Sequence, residues 1–163
     1  MLSKRAKYGL KALLALSRQH RRGPVAIAEL AESEQVPRKF LEQILVELRN
    51  QGIVQSQRGP GGGYSLRLPP EQVTLARVVR LFDGPLAPVP CASLHFYQPC
   101  TDCGDERSCG VRLVMKEVRD STARILEGTT LADLVIRVEL ERAATDRSRK
   151  REQARRRRRA RSS

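Results

Sequence analysis

The run RGPGGG at Arg58–Gly63 limits this chain more than any other feature. It separates two short stretches, IVQSQ and GYSLRL, that read as strands, so the three together form a hairpin. What precedes the hairpin is helical. Ala6, Leu10, Leu13, Leu14 and Ser17 share one stripe of an amphipathic helix over residues 3–20, with Lys4, Arg5, Lys7 and Lys11 on wetter faces. RRGP at Arg21–Pro24 stops it, and a second short helix fits Ile27–Glu34. Pro37 suits the first turn of a third helix, where its missing N–H costs nothing, and that helix runs to about Asn50. Phe40, Leu41, Ile44, Leu45 and Leu48 face inward, while Arg38, Lys39, Glu42, Gln43 and Arg49 stay outside. Gly52 then stops the helix. A helix, a turn, a second polar-faced helix and a hairpin make a winged helix-turn-helix. The fold class is mainly α with a small β wing. Aromatic residues are only 4% of the chain, so the core is Leu, Val, Ile and Ala, which also favours helices.

Beyond the hairpin, TLARVVRLFD at Thr74–Asp83 reads as a further helix, with Leu75, Val78, Val79 and Phe82 buried. GPLAPVP breaks it and leads into a loop that carries every cysteine. The longest helix spans Gly110–Glu127, with Val111, Val114, Met115, Val118, Thr122 and Ile125 at helical spacing, and Gly128 ends it. Thr130 caps a last helix, with Asp133 favouring its dipole. Apolar periodicity stops after Ala144. The expected organisation is residues 1–83 as DNA-binding domain, 84–109 as a cysteine-bearing sensor loop, 110–144 as pairing helices, and 145–163 as a basic, disordered tail. That tail holds ten Lys or Arg against Asp146 and Glu152, a net +8 of the chain's +13, leaving +5 for residues 1–144. A polyanionic partner is its natural reading, and a solvated tail that aids solubility is the plainer one. The N-terminus is interrupted by charge and no apolar run approaches the ~20 residues of a membrane span, so a cytoplasmic location without membrane contact is expected.

A recognition helix enters the major groove and presents polar side chains to base edges. Lys39, Glu42 and Gln43 lie near the N-terminal half of the third helix on its exposed side. Glu accepts from a cytosine amino group and Gln pairs with adenine. Arg38 and Arg49 suit phosphate, which fixes register. At the wing tip Arg58 is a long cation that suits a narrow minor groove, and Gly61, Gly62 and Gly63 let backbone approach the sugar-phosphate chain. The glycine run has no Walker lysine and no following helix, which argues against a nucleotide site. No Ser/His/Asp set, paired carboxylates or cofactor fingerprint is present, so the chain is not expected to be an enzyme.

The thiols are spaced Cys91-x8-Cys100-x2-Cys103-x5-Cys109. Thiolates bind zinc or the iron of a cluster. A zinc ribbon shows two close pairs, and only Cys100 and Cys103 make one here. The longer intervals suit a cluster held by a looped backbone, with structural zinc and a metal-free thiol switch as the alternatives. Cys109 precedes the longest helix, whose N-terminal dipole favours a thiolate. His95 lies in the same loop, and His20 ends the first helix.

FLEQIL, RNQGIV, RGPGGGY and TTLADL together resemble the Rrf2 family of winged-helix repressors, over roughly residues 1–142. The resemblance implies a homodimeric regulator binding a double-stranded DNA operator, with the long helix after the cysteines forming much of the dimer interface. Carried over by motif, Lys39, Glu42 and Gln43 fall at base-reading positions and Arg58 at the wing position. Cluster-binding members place three cysteines in this loop, the last two separated by five residues, which maps a 2Fe–2S site onto Cys91, Cys103 and Cys109. The family's fourth ligand is a His three residues after the last Cys, where this chain has Arg112, or a carboxylate in the first helix, near Lys7 here. Cys100 is then the candidate for the fourth position. The basic tail lies outside the family pattern.

Overall fold

The computed structural model describes residues 2–160. Three helices, α1 (Lys4–Arg18), α2 (Ile27–Glu34) and α3 (Arg38–Asn50), precede an antiparallel hairpin of β1 (Val54–Gln57) and β2 (Gly63–Leu66). Then follow α4 (Leu75–Asp83), a single helical turn at Pro90–Ala92, α5 (Gly110–Glu127) and α6 (Leu131–Ala160).

The first three helices pack because each puts one apolar stripe inward. Ala12, Leu13 and Leu16 of α1, Leu30 of α2, and Leu41, Ile44, Leu45 and Leu48 of α3 form one buried cluster with Ile53, Val54 and Leu66 of the wing. A buried Leu or Ile contributes about 1.5–3 kcal/mol. Aromatic groups sit only at the margin, where Tyr8 and Phe40 meet edge-to-face with ring centroids 5.7 Å apart. Ser3 starts α1, its hydroxyl accepting from the Ala6 amide at 3.1 Å, and its own amide donates to Asp83 at 3.0 Å. One interaction therefore ties the beginning of α1 to the end of α4.

The hairpin register pairs Val54 with Leu66 and Gln57 with Gly63. Val25, in the link between α1 and α2, adds an isolated bridge to Tyr64, each amide donating to the other's carbonyl at 2.8 Å. That bridge anchors the wing to the helical body. A second bridge joins Thr74 to Thr130 and so holds the starts of α4 and α6 side by side. The Thr130 hydroxyl accepts from the Asp133 amide at 3.2 Å, and the Thr130 amide donates to the Asp133 carboxylate at 2.9 Å. The Thr130 amide first, and then the Thr130 hydroxyl, which donates to the same carboxylate at 2.7 Å, hold the Asp133 carboxyl below the usual carboxylate range.

The structure differs from the sequence reading in four places. The first helix ends at Arg18 rather than residue 20, because Gln19 and His20 turn and Arg21 takes φ +72°. The hairpin strands are shorter than read, giving up Ile53 at one end and Arg67 and Leu68 at the other. Leu75 and Phe82 are half-buried rather than buried. Finally, the tail read as disordered continues α6 to Ala160. After Gly128 the chain has no Gly or Pro, and Arg, Lys, Gln, Glu and Ala are strong helix formers, so the helix outlasts its apolar face. Residues 161–163 of that tail lie outside the described residues. No helix among the described residues is long and apolar enough to cross a membrane.

Candidate nucleic-acid interface and cysteine site

The buried positions of α3 leave the opposite face outward. Arg38, Lys39, Glu42, Gln43 and Arg49 are all exposed, as read from the sequence. The same face carries two residues that the sequence reading did not single out, Val46 and Asn50, one and two turns beyond Gln43. Val46 follows the helical spacing of Lys39, Glu42 and Gln43, and an apolar group at that place suits a thymine methyl. The signal was available: a valine outside the buried stripe of an otherwise polar face. Glu42 Oε1 accepts from Arg38 Nε at 3.2 Å, an exposed pair one turn apart on this face.

Arg58 and Gly61 are exposed at the wing tip, and Gly61 takes φ +73° with open space around it. Gly62 and Gly63 serve the wing itself. A Cβ on Gly62 would lie 2.4 Å from the Gln57 carbonyl oxygen, and one on Gly63 would lie 2.2 Å from that of Val25. Only glycine allows the tight tip and the Val25–Tyr64 bridge. The absence of side chains at these two positions therefore has a reason inside the protein, separate from close approach to a nucleic acid.

All four cysteines are half-buried, free thiols. Cys103 Sγ lies 3.6 Å from Cys109 Sγ. A hydrogen bond with Cys100, then one with Cys109, push the Cys103 thiol up to about 12. The structure thus gathers Cys100, Cys103 and Cys109. Cys109 occupies the cap position of α5 without a formal side-chain cap, yet its thiol is drawn below the ordinary range. The Arg112 amide at the first turn is the main cause, followed by the Cys103 thiol, with the Val111 amide a lesser one.

Cys91, on the turn Pro90–Ala92, joins this group through its backbone. Arg112 Nε donates to the Cys91 carbonyl at 3.0 Å and lies 3.5 Å from Glu106 Oε2. Glu106 in turn accepts from the Cys100 amide at 2.6 Å and from the Tyr97 hydroxyl at 2.7 Å. These bonds, the Cys100 amide first, hold the Glu106 carboxyl below its usual range. Further along α5, Arg119 donates to the Ala92 carbonyl. Glu106 and Arg112 are thus a hub of the loop that the sequence did not disclose, since a single ion pair inside a loop has no spacing signature. His95 is exposed and His20 is half-buried just past α1. Among the described residues no group of three or more His, Cys, Asp or Glu side chains is already set to hold a metal ion.

The exposed faces of the long helices complete the surface. No residue of α5 is buried, and Val111, Val114, Val118 and Ile125 stand exposed along one stripe, Val111 by 67% and Ile125 by 63%. Ile136 and Leu140 of α6 are exposed as well.

A family model described as Rrf2, iron-dependent transcriptional regulator, matches residues 2–137. An rrf2-like HTH-type transcriptional regulator of Rhodobacter capsulatus is 44% identical over 138 residues, covering 83% of this chain and 92% of its own length. Two solved structures are similar. That of CymR, the global cysteine regulator of B. subtilis, has a TM-score of 0.70 at 31% identity and covers 83% of this chain and 95% of that one. That of T. potens IscR has a TM-score of 0.68 at 26% identity, covering 85% and 88%.

Proposed function

The chain belongs to the Rrf2 family of transcriptional regulators, and on that premise we propose that it is a homodimeric, sequence-specific DNA-binding repressor of the cytoplasm whose grip on its operator is set by a 2Fe–2S cluster in the cysteine loop. One observation carries the reading. Cys103 and Cys109 meet at the N-terminus of α5, sulfur to sulfur at 3.6 Å, with Cys91 and Cys100 in the same loop, and α5 is the helix whose apolar stripe lies open to a second copy.

At the duplex, Lys39 and Gln43 read base edges, with Val46 beside them. Glu42 acts through its pair with Arg38, and Arg38 and Arg49 hold phosphate. Arg58 reaches the minor groove, with Gly61 at the exposed apex beside it. The twofold axis of a dimer would bring two such heads to successive major-groove faces.

In the loop, the chemistry of the donor set suits the group: four soft thiols, with Cys103 and Cys109 3.6 Å apart, on a backbone held by Glu106 and Arg112. Cys91, Cys100, Cys103 and Cys109 would hold it. When bound, such a cluster supplies an iron-dependent, redox-active cross-link between the loop and α5. The family description as iron-dependent and the likeness to IscR support this reading.

A second reading rests on the 3.6 Å separation of Cys103 and Cys109 and on the likeness to a cysteine regulator. In that reading the loop is a metal-free thiol switch, or a structural zinc site. The test is operator affinity by fluorescence anisotropy, on anaerobically reconstituted protein and on the same protein after chelation. A change of about 5–150-fold is expected, the usual span of allosteric coupling. Equal affinities would end the sensing claim and leave the DNA-binding claim standing.

A further inference from the structure

The second half of α6, residues 145–160, has no place in the function proposed above, yet its nine Lys or Arg against Asp146 and Glu152 give a net +7 of the chain's +13. Every described side chain from Glu141 to Lys150 is exposed. Beyond Ala144 no apolar stripe remains that could lie against a core, a partner helix or a lipid surface. What remains, over residues 145–160, is a rod with nine Lys or Arg, five of them consecutive at Arg155–Arg159. Like charges a turn apart repel and disfavour the helix. A polyanion lying along the rod removes that cost.

Dimensions favour a duplex. Residues 145–160 span about 24 Å at ~1.5 Å per residue. Double-stranded DNA presents one phosphate charge per ~1.7 Å of axis, or about 14 over that length. Resting on the reading of this chain as a DNA-binding regulator, we infer that the C-terminal segment of α6 is a second, sequence-independent DNA contact, which grips phosphates outside the bases read by α3. The head chooses the site and the arm raises the residence of the whole protein on DNA around it.

The experiment compares the full chain with two full-length variants, R147Q/R149Q/K150Q and R155Q/R156Q/R157Q/R158Q/R159Q. Glutamine keeps helix propensity, and circular dichroism checks that helicity is retained. Affinity is measured from 50 to 400 mM salt on the operator duplex, a scrambled duplex and a single-stranded RNA of equal length. At about 0.9 per phosphate contact, the five-residue variant is expected to lower the salt slope by up to about 4.5 on both duplexes. It should weaken low-salt binding at least about tenfold, with the operator-to-scrambled ratio unchanged within about twofold. The three-residue variant should lower the slope by up to about 2.7. An unchanged slope in both variants overturns the inference. So does an arm-dependent slope on RNA alone, which would assign the arm to RNA. If the wild type binds the two duplexes equally while the arm dependence persists, the regulator reading fails and the arm stands.

Discussion

Cys103 and Cys109 show how strongly place alone can separate two thiols that nearly touch. Both are half-buried, with sulfurs 3.6 Å apart. Cys109 receives the amides that open α5 and is shifted down, whereas Cys103 shares its proton with both neighbours and is pushed up to about 12. A lowered value means that the Cys109 thiolate fills at a lower pH than an unperturbed thiol would. In metal-free, anaerobic protein at neutral pH, limiting iodoacetamide should therefore modify Cys109 first and Cys103 last. Peptide mass spectrometry checks this, and equal labelling would refute the assignment. The Cys109 rate should reach half its plateau at a lower pH than that of free cysteine measured alongside. At the wing, Gly63→Ala drives a Cβ into the Val25 carbonyl. It should cost about 1–3 kcal/mol, as overpacking does, and the melting temperature should fall more than for Gly104→Ala, where the surrounding space is open and φ is not positive.

Among the elements, α3 and the wing are expected to fail in different ways. Gln43→Ala should cost about 1–3 kcal/mol of discrimination at one base pair. Arg58→Ala should weaken all duplexes more evenly and lower the salt slope by about 1. Binding titrations on single-base operator variants separate the two outcomes. For α5, the double variant Val114→Asp/Val118→Asp places carboxylates on the exposed stripe. Light scattering coupled to size exclusion should then report a monomer, and a persistent dimer would move the interface elsewhere. Most elements could be read from sequence because periodicity dictates them: α2 and α5 fall on the residues their patterns mark. The Val25–Tyr64 bridge left no trace, since a single paired residue has no period. The α6 extension was missed because apolar spacing and intrinsic propensity part company after Ala144. At the site, the outward residues of α3 and the crowding of the thiols were legible, whereas the Glu106–Arg112 hub depends on a loop conformation that only the assembled fold supplies.

For the molecule as a whole, the question is how loop chemistry reaches the duplex. Glu106 and Arg112 join the backbones of Cys91 and Cys100 to α5. At the far end of α5, Arg80 of α4 pairs with Glu127, and the Leu75 amide donates to the Thr129 carbonyl at 2.9 Å. Glu106→Gln with Arg112→Gln should leave the operator affinity of chelated protein within about twofold of wild type. The same pair of changes should shrink the difference between chelated and reconstituted protein. A full-sized difference would show that the hub does not transmit the signal.

The anchorage of α5 at its C-terminal end makes the helix a pointer. Its 18 residues reach about 27 Å, at ~1.5 Å per residue, from the pivot at Glu127 to the thiols. Over that radius a swing of about 5° carries the Cys109 end by roughly 2 Å, the scale on which element shifts at subunit interfaces operate. Under the proposed regulation, small rearrangements among sulfurs would become angular motion at the hinge beside α4, and two such pointers crossed on one axis would add their angles.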